Sequence, residues 1–188
     1  MTVRTCLSTC AVATLAAATS SANADISLDF TNFTASGASL YPTDYATLTG
    51  SLDSIFGDFT LVQDGQGYTW ADDLTVLIAN EDFSDILVQA GGFSDFGATY
   101  RGEWEFGASG NAGTMSGGTI SFGTSIDVTG YYLYLGNGYV SGGFGVWTGS
   151  VDLFGSIDYA GSTPAVPGPA GLAGLVGIAG IARRRRRG

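Results

Sequence analysis

Across residues 25–163 the apolar side chains recur at every second position, in runs too short for a helix. Ile26, Leu28 and Phe30 alternate with polar neighbours, and Leu74, Val76 and Ile78 recur at every second position of Asp73-Leu74-Thr75-Val76-Leu77-Ile78. Ala46, Leu48 and Leu52 share one parity, broken at Gly50, and Phe59-Thr60-Leu61 repeats the alternation briefly. Tyr131, Leu133 and Leu135 lie on one side of another run, and Val146, Thr148 and Ser150 on one parity of the next. Successive side chains of a strand point to opposite faces, so a period of two marks a strand with one face turned to a core. No window of a dozen residues carries an apolar stripe at the helical period. The runs end at clusters of Gly, Asn, Asp and Ser, which are turn formers. The expected fold is all-β, with nine or ten strands in an antiparallel β-sandwich or jelly roll. Gly136-Asn137-Gly138 is expected to form a tight hairpin turn between the runs 131–135 and 139–140, because Asn-Gly supplies positive φ angles. No repeat of fixed period is present, which argues against a propeller or solenoid.

Charge narrows the chemistry. All 17 acidic residues fall in 25–163 against one arginine, Arg101, leaving this body at −16. The chain has no histidine and no lysine, so histidine catalysis and histidine metal sites are excluded. Nucleic acid is not an expected partner, since almost nothing in the body neutralises phosphates. With 11 Phe, 9 Tyr and 3 Trp, the chain is too aromatic for intrinsic disorder. So acidic a surface repels its own copies and attracts divalent cations.

The two ends read as addresses. Arg4, the Ala-rich apolar stretch 7–18 and the small-x-small pattern Ala22-Asn23-Ala24 have the layout of a secretory signal peptide over 1–24, cut behind Ala24 by signal peptidase. A buried N-terminal helix is the rival reading, and it fits poorly with the acidic extended segment that follows. A lipoprotein anchor at Cys10 would need Gly or Ala where Thr9 stands, and an apolar core before the cysteine instead of after it. Cys6 and Cys10, the only cysteines, both lie in the segment to be removed, so the mature body is expected to hold no disulfide and no thiolate.

At the other end, 164–170 is proline-punctuated and extended, 171–182 is wholly apolar, and Arg183, Arg184, Arg185, Arg186 and Arg187 form a basic stop. Twelve helical residues reach only about 18 Å. A bilayer core is about 30 Å, so a spanning helix draws in the proline segment and lets the arginines snorkel. Val166-Pro167-Gly168-Pro169, the apolar segment and the arginine cluster together resemble the PEP-CTERM sorting signal of exported bacterial proteins, with Gly168 where that family's usual glutamate stands. The resemblance covers roughly the last 25 residues (164–188). It implies a short transmembrane helix that holds the protein at the inner membrane. It also implies processing by an exosortase and delivery to the cell surface, extracellular matrix or biofilm. An ordinary single-pass anchor with a polybasic stop is the alternative.

Two stretches of the body, Tyr68-Thr69-Trp70-Ala71-Asp72-Asp73-Leu74-Thr75-Val76 and Gly145-Val146-Trp147-Thr148-Gly149-Ser150-Val151, resemble strands of P-domain jelly rolls. Those domains accompany secreted proteases and often carry calcium. No protease is attached here, so the resemblance implies fold and not that role.

Without His, Lys or mature Cys, catalysis would rest on carboxylates. Glu103-Trp104-Glu105 would put two carboxylates on one strand face about 7 Å apart, within the range of inverting glycosidases. A solvated acidic face is the plainer reading. Asp72, Asp73, Glu81, Asp82 and Asp85 lie in or beside turns and are the first candidates for calcium, although no EF-hand spacing is present. Tyr68, Trp70, Tyr100, Trp104, Tyr132, Tyr134, Tyr139 and Trp147 would serve either as a sugar-stacking face or as core and cross-strand pairs. The expected protein is therefore a non-enzymatic surface or matrix component. A lectin-like carbohydrate-binding module is the alternative, to be told apart by an aromatic platform; a deep cleft holding Glu103 and Glu105 would favour an enzyme.

Overall fold

The computed structural model describes residues 25–43, 47–65, 68–139 and 143–159. The expected signal segment with Ala22 and Ala24, and the tail expected to carry the sorting motif, the apolar helix and the arginine stop, lie outside the described residues. Nine strands are present among those described: β1 (Ile26–Ser36), β2 (Leu40–Pro42), β3 (Leu48–Gly65), β4 (Leu74–Ala79), β5 (Ile86–Ala90), β6 (Tyr100–Gly102), β7 (Met115–Asp127), β8 (Tyr132–Asn137) and β9 (Phe144–Tyr159). They form two sheets, ordered β1-β9-β3-β7 and β2-β8-β4-β5-β6. Every pairing is antiparallel except β5 with β6, which run parallel over Val88↔Tyr100, Gln89↔Arg101 and Ala90↔Gly102. The expectation of a purely antiparallel fold is corrected at that edge. The chain from β5 to β6 loops back to the same end of the sheet instead of turning in a hairpin.

The alternation seen in the sequence is the burial pattern. In β1, Ile26, Leu28 and Phe30 are buried and the residues between them exposed. An irregularity between Phe30 and Phe33, with Asn32 at a φ of 53°, shifts the parity so that Phe33 and Ala35 continue the buried side. β3 is one long strand for the same reason. Its buried residues run Leu48, Leu52, then Ile55, Gly57, Phe59 and Leu61, and the change of parity coincides with a bulge between Leu52 and Ser54. A bulge adds one residue and re-aims the side chains, so two short sequence runs belong to one strand.

A single apolar cluster draws on both sheets. Ile26, Leu28, Ile55, Phe59, Leu61, Trp147, Val151 and Leu153 from the first meet Leu74, Val76, Ile78, Val88, Leu133 and Leu135 from the second. The opposite side of the second sheet is also buried. Leu77, Ala79 and Tyr134 join Leu40, and Phe83, Ile86 and Phe96 pack against them, with the Phe83 and Tyr134 ring centroids 4.5 Å apart. Hence β4 is buried at all six positions. It reads as a central strand covered on both faces.

One turn expectation fails. Gly136 and Asn137 lie inside β8, paired with Leu40 and Leu74 respectively, and Asn137 is fully buried. Its amide donates toward Ala35 O and Thr69 Oγ1 and its Oδ1 accepts from the Tyr139 N–H at 2.9 Å. The Asn side chain is used as a buried polar link, and Gly136 is required because a Cβ would fall 2.1 Å from the Ser39 carbonyl oxygen.

Candidate functional site

The local structure that organises the site is a single 3-10 turn, Ala71–Asp73, leading into β4. Asp73 is nearly buried, and its Oδ2 accepts the Trp70 N–H at 2.7 Å while its own N–H donates to Trp70 O. This reciprocal closure fixes Trp70 just before the turn. The turn then holds three other segments by backbone hydrogen bonds: Ala71 N–H to Ser109 O, Gly92 N–H to Asp72 O, and Gly138 N–H to Asp73 O. Residues distant in sequence are thereby gathered around one cavity.

That cavity has a volume of about 800 Å³ and is lined by residues of the segments 68–73, 91–93 and 101–108 together with Tyr139. Tyr68, Trp70, Phe93 and Phe106 are exposed on its walls. Phe93 and Tyr139 meet edge to face with centroids 5.8 Å apart. Trp104 is the buried aromatic of the lining: it packs at 5.3 Å against Phe59 of the core, and its indole N–H donates to Leu74 O at 2.7 Å. Gly91 makes this possible. Its φ is +72°, and a Cβ there would lie 2.0 Å from Trp104 Nε1 and 2.4 Å from the Leu74 oxygen.

The 91–96 loop is held from beneath by Gln89, which is fully buried. Its amide nitrogen donates to Gly91 O and Ser94 O, and its oxygen accepts the Phe96 N–H. From above, Arg101 Nη2 donates to Gly92 O at 3.1 Å and Phe93 O at 3.3 Å, and lies 3.8 Å from Glu103 Oε1.

Four carboxylates, Asp72, Asp73, Glu103 and Glu105, line the same cavity. Burial pushes Asp73 up to about 6, against hydrogen bonds from Trp70 and Phe93 that pull it down, with Asp72 adding like-charge repulsion. Asp72 is also raised, by burial first and to a lesser degree by Glu103. The Asp72 Oδ1 is buried and has no hydrogen-bond partner among the described residues. An acceptor stripped of water and left unpaired costs free energy.

The sequence-derived candidates separate as follows. Glu103 and Glu105 both line the cavity, exposed on either side of buried Trp104, but they follow β6 and are not on a strand. The backbone leaves the ladder after Gly102. The five calcium candidates do not converge. Asp72 and Asp73 precede β4, while Glu81, Asp82 and Asp85 follow it at the other end of the strand. In that second turn Asp82 Oδ1 accepts from the Ser84 N–H and hydroxyl, and Asp85 Oδ2 accepts from Tyr131 at 2.7 Å. Among the described residues no group of three or more acidic side chains is placed to hold a metal ion. Of the eight aromatics, Trp104, Trp147 and Tyr134 are buried, and Trp147 donates its N–H to Ala71 O. Tyr100 packs against Phe122 and Tyr132 beside the smaller cluster, so Tyr68, Trp70 and Tyr139 remain as open cavity wall together with part of Trp104. Phe93 and Phe106 were not among the expected site residues. Their signal was present: each is an aromatic in a Gly-containing loop, Gly92-Phe93-Ser94 and Phe106-Gly107, with no alternating run to bury it.

No protein-family model, no curated protein and no solved structure matches this chain. Among the described residues no helix is long and apolar enough to cross a membrane.

Proposed function

We propose that this chain is an exported, non-enzymatic cell-surface or matrix protein whose β-domain binds polysaccharide in the cavity beside the 3-10 turn. The carrying observation is the convergence of Tyr68, Trp70, Phe93, Phe106 and Tyr139 around four carboxylates in one open cavity. Sugar rings offer an apolar face and a rim of hydroxyls. Exposed aromatics cover the first, and the exposed carboxylates Glu103 and Glu105 accept from the second. The shared core of the two sheets supports the finer reading of a β-sandwich of jelly-roll type, which presents this cavity on a rigid frame.

A binding role is favoured over a glycosidase role by the state of the carboxylates. A general acid needs a raised pKa and a path to the substrate proton. Asp73 and Asp72 both have a raised pKa, but the Asp73 carboxylate is occupied in closing the turn on Trp70 and the Asp72 Oδ1 is closed to solvent. Glu103, with its side chain 80% exposed, is well solvated.

Export rests on the two ends: the layout of 1–24, and the resemblance of 164–188 to a PEP-CTERM signal read by an exosortase. Fractionation of cells expressing the full chain and a chain lacking 164–188 tests this. The full chain should be trimmed and surface-associated, the shortened one released untrimmed; equal release without trimming refutes sorting. Retention of the purified full chain on insoluble polysaccharides tests binding. Trp70→Ala should lower retention about tenfold, equivalent to about 1.4 kcal/mol. Retention on none of a set of chemically distinct polysaccharides would leave a matrix protein without this ligand.

A further inference from the structure

Resting on the polysaccharide reading, we infer that the cavity selects a glycan bearing free amino groups, such as a de-N-acetylated hexosamine polymer, over neutral and uronate glycans.

The lining holds Asp72, Asp73, Glu103 and Glu105 against a single cation, Arg101. That cation is already engaged, its Nη2 directed at the Gly92 and Phe93 carbonyls and close to Glu103. Arg101 is the one cation of the lining, and the surplus negative charge around it repels the carboxylate of a uronic acid. An ammonium group meets the opposite situation. Glu103 and Glu105 line the cavity, exposed on either side of Trp104, where they accept charge-assisted hydrogen bonds from a protonated amine. The exposed faces of Trp70 and Tyr68 add cation–π attraction. A neutral N-acetyl sugar gains the aromatic contacts and keeps one amide N–H, but it lacks the charge.

Charge is therefore the specificity element and the aromatics supply contact common to all sugars. The two contributions separate by substitution. Glu105→Gln removes charge from an exposed side chain and leaves shape unchanged. Trp70→Ala removes stacking and leaves charge unchanged.

The test is titration of the full chain, at one ionic strength, with glucosamine oligomers of one length, either N-acetylated or de-N-acetylated, with a uronate oligomer and with oligolysine, read by calorimetry. The de-N-acetylated oligomer should bind at least about tenfold more tightly than the acetylated one, and the uronate should not bind measurably. Glu105→Gln should shrink that preference by weakening the de-N-acetylated oligomer more than the acetylated one, and Trp70→Ala should weaken both to a similar degree. Thermal melts of both variants report that the fold is kept, and Glu103→Gln serves if Glu105→Gln does not fold. Equal or tighter binding of the acetylated oligomer overturns the inference and leaves polysaccharide binding standing. Oligolysine binding as tightly as the amino sugar overturns it in favour of a general cation surface. Absence of binding in every arm overturns both readings.

Discussion

The Trp104 indole N–H donates to the Leu74 carbonyl oxygen at 2.7 Å, from a ring that also lies 5.3 Å from Phe59 and lines the cavity. One side chain thus joins the first residue of β4, the core of the other sheet and the proposed binding surface. Trp104→Phe keeps most of the ring but leaves the buried Leu74 oxygen without that donor. Stability should fall by about 1–3 kcal/mol. Urea unfolding checks this: the midpoint should drop with an unchanged slope.

Gly91→Ala should be more damaging than its size implies. The new methyl group would meet Trp104 Nε1 and the Leu74 oxygen, in a backbone conformation with φ +72°. Either strain alone is on the order of 1–3 kcal/mol. The expected outcome is a lower melting temperature with a changed tryptophan emission, because Trp104 must leave its place. An unchanged spectrum would show that Gly91 is not what seats the indole.

Gln89→Leu tests the support of the 91–96 loop. The substitution conserves bulk and removes three hydrogen bonds, to Gly91 O, Ser94 O and the Phe96 N–H. Hydrogen exchange at the Phe96 amide should accelerate, and the loss of stability should be about 1–3 kcal/mol, tempered by water reaching the loop. Glycan binding should weaken with it, since Phe93 is carried on this loop.

The burial of Asp73 predicts a pH dependence. Its folded pKa is about 6 against an ordinary 3.8. Between those values the native state binds more protons than the unfolded chain, so stability falls as pH rises from about 4 to about 6 and this group adds no slope outside that window. The drop is at most about 3 kcal/mol. Asp72, also raised, adds in the same direction. Asp82 and Asp127, held low by hydrogen bonds from Ser84 and Thr129, act oppositely at more acidic pH. Unfolding midpoints measured from pH 4 to pH 7 should decline in the native chain, and Asp73→Asn should flatten that decline. An equal decline in both would assign it to the general acidity of the surface.

Much of the fold was legible because a strand's side chains alternate by geometry. Ile26, Leu28 and Phe30 are buried as their parity indicates, and in β4, where both parities are buried, Leu74, Val76 and Ile78 join the core shared by the two sheets. Where that local rule met a non-local demand it misled. Asn137 carries the letters of a turn but lies in a ladder between β2 and β4, where its amide has buried partners. The breaks in parity at Phe30/Phe33 and Leu52/Ser54 are bulges, visible only against the partner strand. The calcium candidates were grouped by sequence proximity, and β4 holds them apart.

The amino-acid sequence by itself determined that the body is β-structured and strongly acidic, that it holds no histidine, lysine or cysteine, and where its apolar residues recur with a period of two. These are properties of composition and of a two-residue repeat, and they need no knowledge of neighbours. Only the tertiary structure decided that Trp70, Phe93, Glu105 and Tyr139 share one cavity. That meeting depends on which strands pair and on backbone hydrogen bonds from the Ala71–Asp73 turn to segments far along the chain. Strand order is set by burying both faces of β4 and by joining β1 to β9, and no local pattern encodes a partner that distant.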